Sequence, residues 1–152
     1  MTSAPSTFLV DTNVLVYGED VRDAKKQQKA IDLLAALSEA QTGAVSVQIL
    51  GEFFNATTRR IKPPLSREAA ANAVERLAEA LPVFDLRGAM VYDALRGVTQ
   101  HNLSYYDGLI WATARFYGVP FVLSEDMNSG QVIEGVRIIN PFAPDFDLAV
   151  LS

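Results

Sequence analysis

The sequence predicts an α/β protein with a short, mostly parallel central sheet. Short apolar runs of strand length occur at 7–10, 121–123 and 136–139. Longer segments between them repeat their apolar residues with helical spacing. Alternation of short strands with helices is typical of a parallel sheet covered by helices. No repeat, low-complexity tract or long linker divides the 152 residues, so we expect one domain over residues 1–152.

The first half of the chain predicts two strands and two helices. A buried strand at 7–10 is followed by an amphipathic helix at 23–41, which Gly43 is expected to end. A short strand at 44–45 precedes Ser46, which can cap a helix reaching about residue 60. The apolar faces of the two helices are predicted to contain Ala30, Ile31, Leu33, Leu34 and Leu37, and Ile49, Leu50, Phe53 and Phe54.

The second half begins at the break IKPPLS, residues 61–66, which reads as a turn between helices. A third helix is expected to begin after Ser66 and to run to about Ala80. The remaining elements are predicted in this order: a strand at 82–84, a helix at 86–100, a helix from Ser104 closed by Gly118 and Pro120, and strands at 121–123 and 136–139.

Composition and charge exclude several classes of protein. There is no cysteine, which rules out a disulfide framework, a thiolate metal site and a thiol nucleophile. A net charge of −5 argues against simple electrostatic binding of duplex DNA, but fits acids neutralised by a metal ion. The first seven residues lack the basic start of a signal peptide, and no apolar run approaches the roughly 20 residues of a membrane span. We therefore expect a cytoplasmic protein without a membrane segment.

Four acidic residues stand at positions where chemistry is plausible, although each has a structural alternative. Asp11 and Asp126 follow apolar strands, where a turn or a helix cap would also explain them. Glu52 lies at the edge of an apolar helix face, as a solvated flank would. Asp107 falls in the first turn of an apolar helix and completes an S-x-x-D capping pattern with Ser104.

Taken together, the four acids indicate a metal site. A parallel sheet can bring strand ends and helix starts to one edge. Carboxylates gathered without a counter-charge repel one another and become harder to ionise. A divalent cation removes that penalty, and Mg²⁺ or Mn²⁺ prefers oxygen ligands. The pattern therefore predicts one or two such ions at this edge.

Four segments resemble PIN-domain proteins, most closely the VapC toxins of type II toxin–antitoxin pairs: LVDTNVLVYG, VQILGEFFNATTRR, LSYYDGLIWATA and VLSEDMNSG with the later GVRIINPF. They occur in order along nearly the whole chain. The resemblance implies a three-layer α/β/α sandwich and a metal-dependent ribonuclease that leaves 5′-phosphate and 3′-hydroxyl ends.

The resemblance also implies roles for individual residues. Asp11 and Asp107 would be the principal metal ligands, while Glu52 and Asp126 would act through metal-bound water or hold a second ion. Asn13 and Asn128 would support the site from beside it. Glu125, next to Asp126, is a further acid whose contribution stays open.

Basic and aromatic residues receive weaker interpretations. A basic cluster at the end of the Glu52 helix fits either RNA contact or a favourable helix terminus beside a solvated turn; it consists of Arg59, Arg60, Lys62 and Arg67. His101, the only histidine, is interpreted as structural. The aromatic residues of the Asp107 helix are interpreted as core rather than as base-stacking surfaces: Tyr105, Tyr106, Trp111, Phe116 and Tyr117.

Partners follow from the resemblance as well. It implies an RNA substrate, a small antitoxin that blocks the acidic cleft, often with an arginine, and a homodimer. Phe53, Phe54 and residues 142–151 are apolar candidates for partner surfaces that fit the core equally well. Two alternatives remain: a non-catalytic PIN module, and a haloacid-dehalogenase-like phosphatase, which would need a second aspartate where the chain has Asn13.

Overall fold

A computed structural model describes residues 7–152, in which six helices accompany one six-stranded sheet. The strands are β1 (Phe8–Val10), β2 (Gly43–Ser46), β3 (Val83–Phe84), β4 (Phe121–Leu123), β5 (Val132–Ile133) and β6 (Val136–Ile139). The helices are α1 (Thr12–Tyr17), α2 (Ala24–Ala40), α3 (Val47–Arg59), α4 (Arg67–Ala80), α5 (Ala89–His101) and α6 (Tyr105–Phe116), and a 3₁₀ turn covers Leu148–Leu151. The predicted α/β class with a mostly parallel sheet is confirmed.

The sheet order places a topological switch point at the pair β1–β4. The strands lie in the order β3-β2-β1-β4-β6-β5, and every neighbouring pair is parallel except β5–β6. The chain moves outward from β1 through β2 to β3, then returns to the other side of β1 to form β4. Ligands of open α/β sheets bind beyond the carboxyl ends of the strands at such a point. Here those ends are Val10 and Leu123, which pair in register.

Short polar residues start most of the helices. Ser46, Ser66 and Ser104 each accept a hydrogen bond from the backbone N–H three residues later, and Asp23 does the same for α2. Each of these caps satisfies a backbone donor that the first helical turn leaves without a partner. The predicted caps Ser46 and Ser104 are thus confirmed.

Several local predictions were wrong for identifiable reasons. Helix α2 ends at Gln41, whose φ of 57° is left-handed, and not at Gly43. Gly43 lies in β2, where an added Cβ would come within 2.9 Å of Leu37, so close packing requires a glycine there. Helix α1, strand β5 and the 3₁₀ turn were not predicted from the sequence.

The core lies between the sheet and the helices, with α6 as its most buried helix. All residues from Gly108 to Ala114 are buried, as the apolar sequence predicted. Tyr106 and Phe116, at the two ends of α6, are exposed, so their core assignment was wrong. The placement of Ile31 on the inward face of α2 was also wrong, because this side chain is exposed.

Helices α5 and α6 approach each other closely through two glycines. A Cβ on Gly108 would lie 2.7 Å from the backbone oxygen of Ala94, and one on Gly97 would lie 3.1 Å from the Trp111 ring. Close approach here fixes the position of α6 and hence of Asp107 in its first turn. No helix within residues 7–152 is long and apolar enough to cross a membrane.

Candidate functional site

The four acids singled out from the sequence line one cavity of about 310 Å³ beside the switch point of the sheet. Asp11 follows β1, Asp126 follows β4, and Glu52 and Asp107 come from α3 and α6. The cavity wall is completed by apolar and polar side chains: Thr12, Asn13, Val16, Tyr17, Asp20, Arg22, Ala56, Arg60, Ile61 and Ile110. A larger cavity of about 520 Å³ lies against the C-terminal segment and contains none of the four acids.

Asp11 is the most buried of the four, with 4% of its surface exposed. Its Oδ1 accepts from the backbone N–H of Thr12 at 2.7 Å, so it caps α1. Its Oδ2 accepts from the Ser124 hydroxyl at 2.7 Å and from the Asn13 amide at 3.0 Å. Burial raises the pKa of Asp11 to about 6, and the charges of Asp107 and Glu52 push the pKa the same way. Asp11 therefore caps helix α1 and also belongs to the candidate site.

Glu52 and Asp107 are half-buried carboxylates that line the same cavity as Asp11. Glu52 Oε1 accepts from the Thr12 hydroxyl at 3.0 Å and from the Gln48 amide at 3.2 Å. Burial raises the pKa of Glu52, and the charge of Asp107 adds to that effect. Burial likewise raises the pKa of Asp107, with a further contribution from Asp126. The pKa of each of these two acids is thus raised in part by the charge of another acid in the set.

Asn13 connects the two acids that follow strands. Its Nδ2 lies 3.0 Å from Oδ2 of Asp11, 3.1 Å from Oδ2 of Asp126 and 3.3 Å from Oγ of Ser124. Its Oδ1 accepts from the backbone N–H of Glu125 at 3.1 Å. One amide side chain therefore holds the start of α1 against the loop after β4.

The donor set fits a hard divalent cation in its chemistry, although the carboxylates stand apart. None of the four acids forms an ion pair with a basic side chain of residues 7–152. Over the same residues, no three Asp, Glu, His or Cys side chains are gathered closely enough to form a ready metal site. Asp11, Glu52 and Asp126 instead accept hydrogen bonds from hydroxyl or amide groups.

Comparison with known proteins places the chain in a family. The family model described as PIN domain matches residues 8–132, which is most of the chain. The chain belongs to the PIN domain family. The resemblance found in the sequence is thereby confirmed, and the phosphatase alternative is set aside. No curated protein sequence matches the chain.

Three solved structures share the PIN fold seen here. The sarcin–ricin-loop-cleaving toxin VapC20 of Mycobacterium tuberculosis aligns with a TM-score of 0.64 and 22% identity, over 79% of this chain and 90% of that chain. A toxin–antitoxin complex from Klebsiella pneumoniae gives 0.65 and 16%, over 90% and 98% of the two chains. VapBC2 of Rickettsia felis, bound to a DNA fragment from its promoter, gives 0.62 and 14%, over 87% and 96%.

The remaining predicted site residues of this PIN domain lie in different places. Arg60 lines the cavity, whereas Arg59, Lys62 and Arg67 are exposed and outside its wall. Asn128 is also exposed and outside the wall, so the structure does not bring it to the four acids. His101 packs edge-on against Trp111 and bonds Glu134 at 2.7 Å, which agrees with a structural role.

Glu125, whose contribution was open, is occupied elsewhere. Its carboxylate bonds the Tyr17 hydroxyl at 2.5 Å and the Lys26 ammonium at 2.6 Å, and it is not part of the cavity wall. Lys26 also lies 4.7 Å from the centre of the Tyr17 ring. These contacts anchor the loop that presents Asp126.

Sequence reasoning missed three polar partners of the acids. Ser124 is fully buried and bonds Asp11, Thr12 bonds Glu52, and Gln48 bonds both Glu52 and the backbone oxygen of Tyr106. Only Ser124 carried a signal, as a hydroxyl directly after an apolar strand. Thr12 and Gln48 became recognisable once the fold had paired α1 with α3.

Proposed function

We propose that this PIN domain is a metal-dependent endoribonuclease and the toxin of a toxin–antitoxin pair. The single observation that carries the proposal is the convergence of Asp11, Glu52, Asp107 and Asp126 on one cavity at the switch point. A buried carboxyl with its pKa raised to about 6 is costly to keep charged, and a divalent cation would remove that cost. Membership in the PIN domain family supports the same proposal.

The residues have distinct parts in this proposal. Asp11 and Asp107 would be the principal ligands of Mg²⁺ or Mn²⁺, and Glu52 and Asp126 would support that ion or hold a second one. Asn13 and Ser124 fix the orientation of the Asp11 carboxylate through their hydrogen bonds. A bound ion of this kind acidifies water and stabilises negative charge on phosphoryl oxygens.

The reaction is hydrolysis of a phosphodiester. The water oxygen forms a bond to phosphorus while the bond from phosphorus to the 3′-oxygen breaks, and the 3′-oxygen takes up a proton. The products are a 5′-phosphate and a 3′-hydroxyl. Arg60 lines the same cavity and would contact the RNA backbone, while Arg59 and Lys62, beside it, would extend that contact along the strand.

The proposed antitoxin would insert a basic side chain among the four acids. These acids carry no ion pair within residues 7–152, so a guanidinium could bond them as a metal ion would. The similar structure from Klebsiella pneumoniae is a toxin–antitoxin complex, and the one from Rickettsia felis is VapBC2 bound to promoter DNA; both support an antitoxin as the partner. The corresponding test measures whether an arginine-containing peptide competes with Mn²⁺ for binding in the cavity.

A homodimer is part of the proposal, and helix α5 offers a surface for it. Val91, Leu95 and Val98 follow one another at helical spacing on α5, Tyr92 lies beside them, and all four are exposed. Phe53 is ruled out as a partner surface, because only 2% of it is exposed. Light scattering of the wild type and of Leu95→Glu measures whether this face joins two copies.

A non-catalytic PIN module is the second candidate function. One observation favours it: within residues 7–152 no three ligating side chains are already gathered for a metal ion. Such a module would bind RNA or protein without cutting. It differs from the nuclease in requiring no metal for binding and in leaving the RNA intact.

Cleavage of a labelled, mixed RNA pool separates the two candidates. The purified protein is assayed with Mg²⁺, with Mn²⁺ and with EDTA, beside Asp11→Asn and the control Asp32→Asn, an exposed acid on α2. Cutting that requires metal, disappears in Asp11→Asn and survives in Asp32→Asn supports the nuclease. Fragments ending in 2′,3′-cyclic phosphate would rule out the hydrolytic mechanism.

A further inference from the structure

We propose that Arg22, held in place by Asp20, binds a phosphate of the RNA strand next to the phosphate being hydrolysed. This inference rests on the proposed function, because it names a second contact for the same substrate in the same cavity. Arg22 and Asp20 line the cavity together with the four acids. Neither residue was identified from the sequence.

The two side chains form a tight, two-pronged pair. Arg22 donates from Nε to Oδ1 of Asp20 at 2.9 Å and from Nη2 to Oδ2 at 2.8 Å. The backbone N–H of Arg22 donates to Oδ1 as well, at 3.1 Å. Two guanidinium nitrogens thus bond the two oxygens of one carboxylate, which fixes the plane of the guanidinium group.

Burial differs sharply between the two partners. The Asp20 side chain is 11% exposed, whereas the Arg22 side chain is 51% exposed. The carboxylate is therefore the buried support and the guanidinium is the presented group. Within residues 7–152, two of its five N–H donors bond Asp20 and the other three have no partner, so these three can bond a ligand.

The chemistry of the cavity selects an anion as that ligand. A guanidinium with a fixed plane and free donors matches the oxygens of a phosphate. The neighbouring acids would repel any anion, unless a metal ion neutralises them as the proposed function requires. A polyanion such as RNA can then place one phosphate at the acids and the next at Arg22.

A local turn is the alternative explanation of the pair, because Asp20 and Arg22 are only two residues apart. The charge substitution Asp20→Asn separates the explanations by the sign of its effect. Removing a negative charge from the cavity should strengthen RNA binding if Asp20 only repels the substrate. If Asp20 positions Arg22, the same substitution should weaken binding.

The test measures binding of a fluorescein-labelled single-stranded RNA pool by anisotropy, with Ca²⁺ replacing Mg²⁺, over a range of salt concentrations. The variants are Arg22→Gln, Arg22→Lys and Asp20→Asn. Their controls are Arg76→Gln on α4 and Asp32→Asn on α2, both exposed and outside the cavity. Circular dichroism melting verifies that each variant is folded.

Loss of one phosphate contact should reduce the slope of log affinity against log salt by about 0.7 for single-stranded RNA. At about 0.15 M salt this corresponds to roughly fourfold weaker binding by Arg22→Gln. Arg22→Lys should lie between the wild type and Arg22→Gln, because it keeps the charge and loses the two-pronged geometry. Asp20→Asn should weaken binding, and both controls should match the wild type.

Equal affinity and slope in Arg22→Gln and Arg76→Gln would overturn the proposal, as would tighter binding by Asp20→Asn. Absence of RNA binding by the wild type would overturn it too. Cleavage by the wild type with Mg²⁺ is recorded in parallel. Weaker binding by Arg22→Gln without any wild-type cleavage would support the phosphate site and reject the nuclease, so the two failures are distinguishable.

Discussion

Ser124 donates a 2.7 Å hydrogen bond from its buried hydroxyl to Oδ2 of Asp11, a residue 113 positions earlier in the chain. The bond crosses the junction of β1 and β4, where the backbone N–H of Asp11 also donates to Leu123 at 2.9 Å. The most buried acid of the cavity is therefore fixed by the pairing of the two central strands. The position of this carboxylate is a property of the fold and does not depend on a flexible loop.

Asp11→Asn is expected to change how stability depends on pH. The pKa of Asp11 is about 6 in the folded protein and close to 3.8 when unfolded, so the folded state binds the proton more tightly. This carboxyl therefore lowers stability as pH rises from about 4 through 6, by roughly 3 kcal/mol at most. Relative to the wild type, metal-free Asp11→Asn should gain stability by up to that amount between about pH 4 and pH 8.

Urea unfolding of both proteins in EDTA at several pH values measures the effect. Asp32→Asn, on an exposed position of α2, is the control and should follow the wild type at every pH. If the free energy of unfolding of Asp11→Asn and that of the wild type changed with pH in parallel, burial would not raise the pKa of Asp11.

Asn13→Ala should weaken metal binding while leaving the four acids in place. The amide of Asn13 bonds both Asp11 and Asp126, so its loss removes one orienting hydrogen bond from each of two proposed ligands. Removal of such supporting groups typically lowers metal affinity or activity by about 10- to 100-fold. Isothermal titration with Mn²⁺ measures the affinity, with Asn72→Ala on the exposed face of α4 as the control. Equal affinities in the two variants would contradict a supporting role for Asn13.

Gly108→Ala should destabilise the protein and disturb the site together. The added Cβ would lie 2.7 Å from the backbone oxygen of Ala94, so α6 must move away from α5 and carry Asp107 with it. Overpacking of this kind costs about 1–3 kcal/mol. A lower melting temperature with weaker Mn²⁺ binding is expected.

Gly51→Ala is the matched control for that experiment. Gly51 also lies within a helix, but apart from its chain neighbours and its own helix backbone, no atom of residues 7–152 lies within 4 Å of its added Cβ. Alanine is the better helix former by about 0.5–1 kcal/mol, so this variant should be more stable than the wild type. Equal effects of the two substitutions would show that helix propensity, and not the α5–α6 contact, sets the outcome.

The general fold could be predicted because its signals are local. Strand β1 is a short apolar run, and Ser46, Ser66 and Ser104 start helices through bonds only three residues long. Helix α1 escaped prediction because its six residues follow Asp11 directly, and an acidic-polar triplet after a strand fits a turn equally well. Tyr106 was misplaced for a related reason: it opens an apolar helix, where the first turn still projects into solvent.

The acids of the site could be predicted from the sequence, whereas most of the residues that form hydrogen bonds with them could not. Strand ends and helix starts mark Asp11, Asp107 and Asp126 from sequence, because a parallel sheet gathers those positions at one edge. The bond from Thr12 to Glu52 spans 40 residues and depends on how α1 crosses α3. The pairing of Asp20 with Arg22 is local in sequence, but only the folded structure shows that both residues line the cavity of the four acids.

The central claim is that four carboxylates act as one divalent-cation site, and Mn²⁺ binding tests it most directly. Isothermal titration compares the wild type with Asp11→Asn, Glu52→Gln, Asp107→Asn and Asp126→Asn, and with Asp32→Asn as the control. We predict saturable binding by the wild type and by the control, abolished in Asp11→Asn and Asp107→Asn and weakened in Glu52→Gln and Asp126→Asn. The same Mn²⁺ affinity in all six proteins, or no binding by a folded wild type, would contradict it.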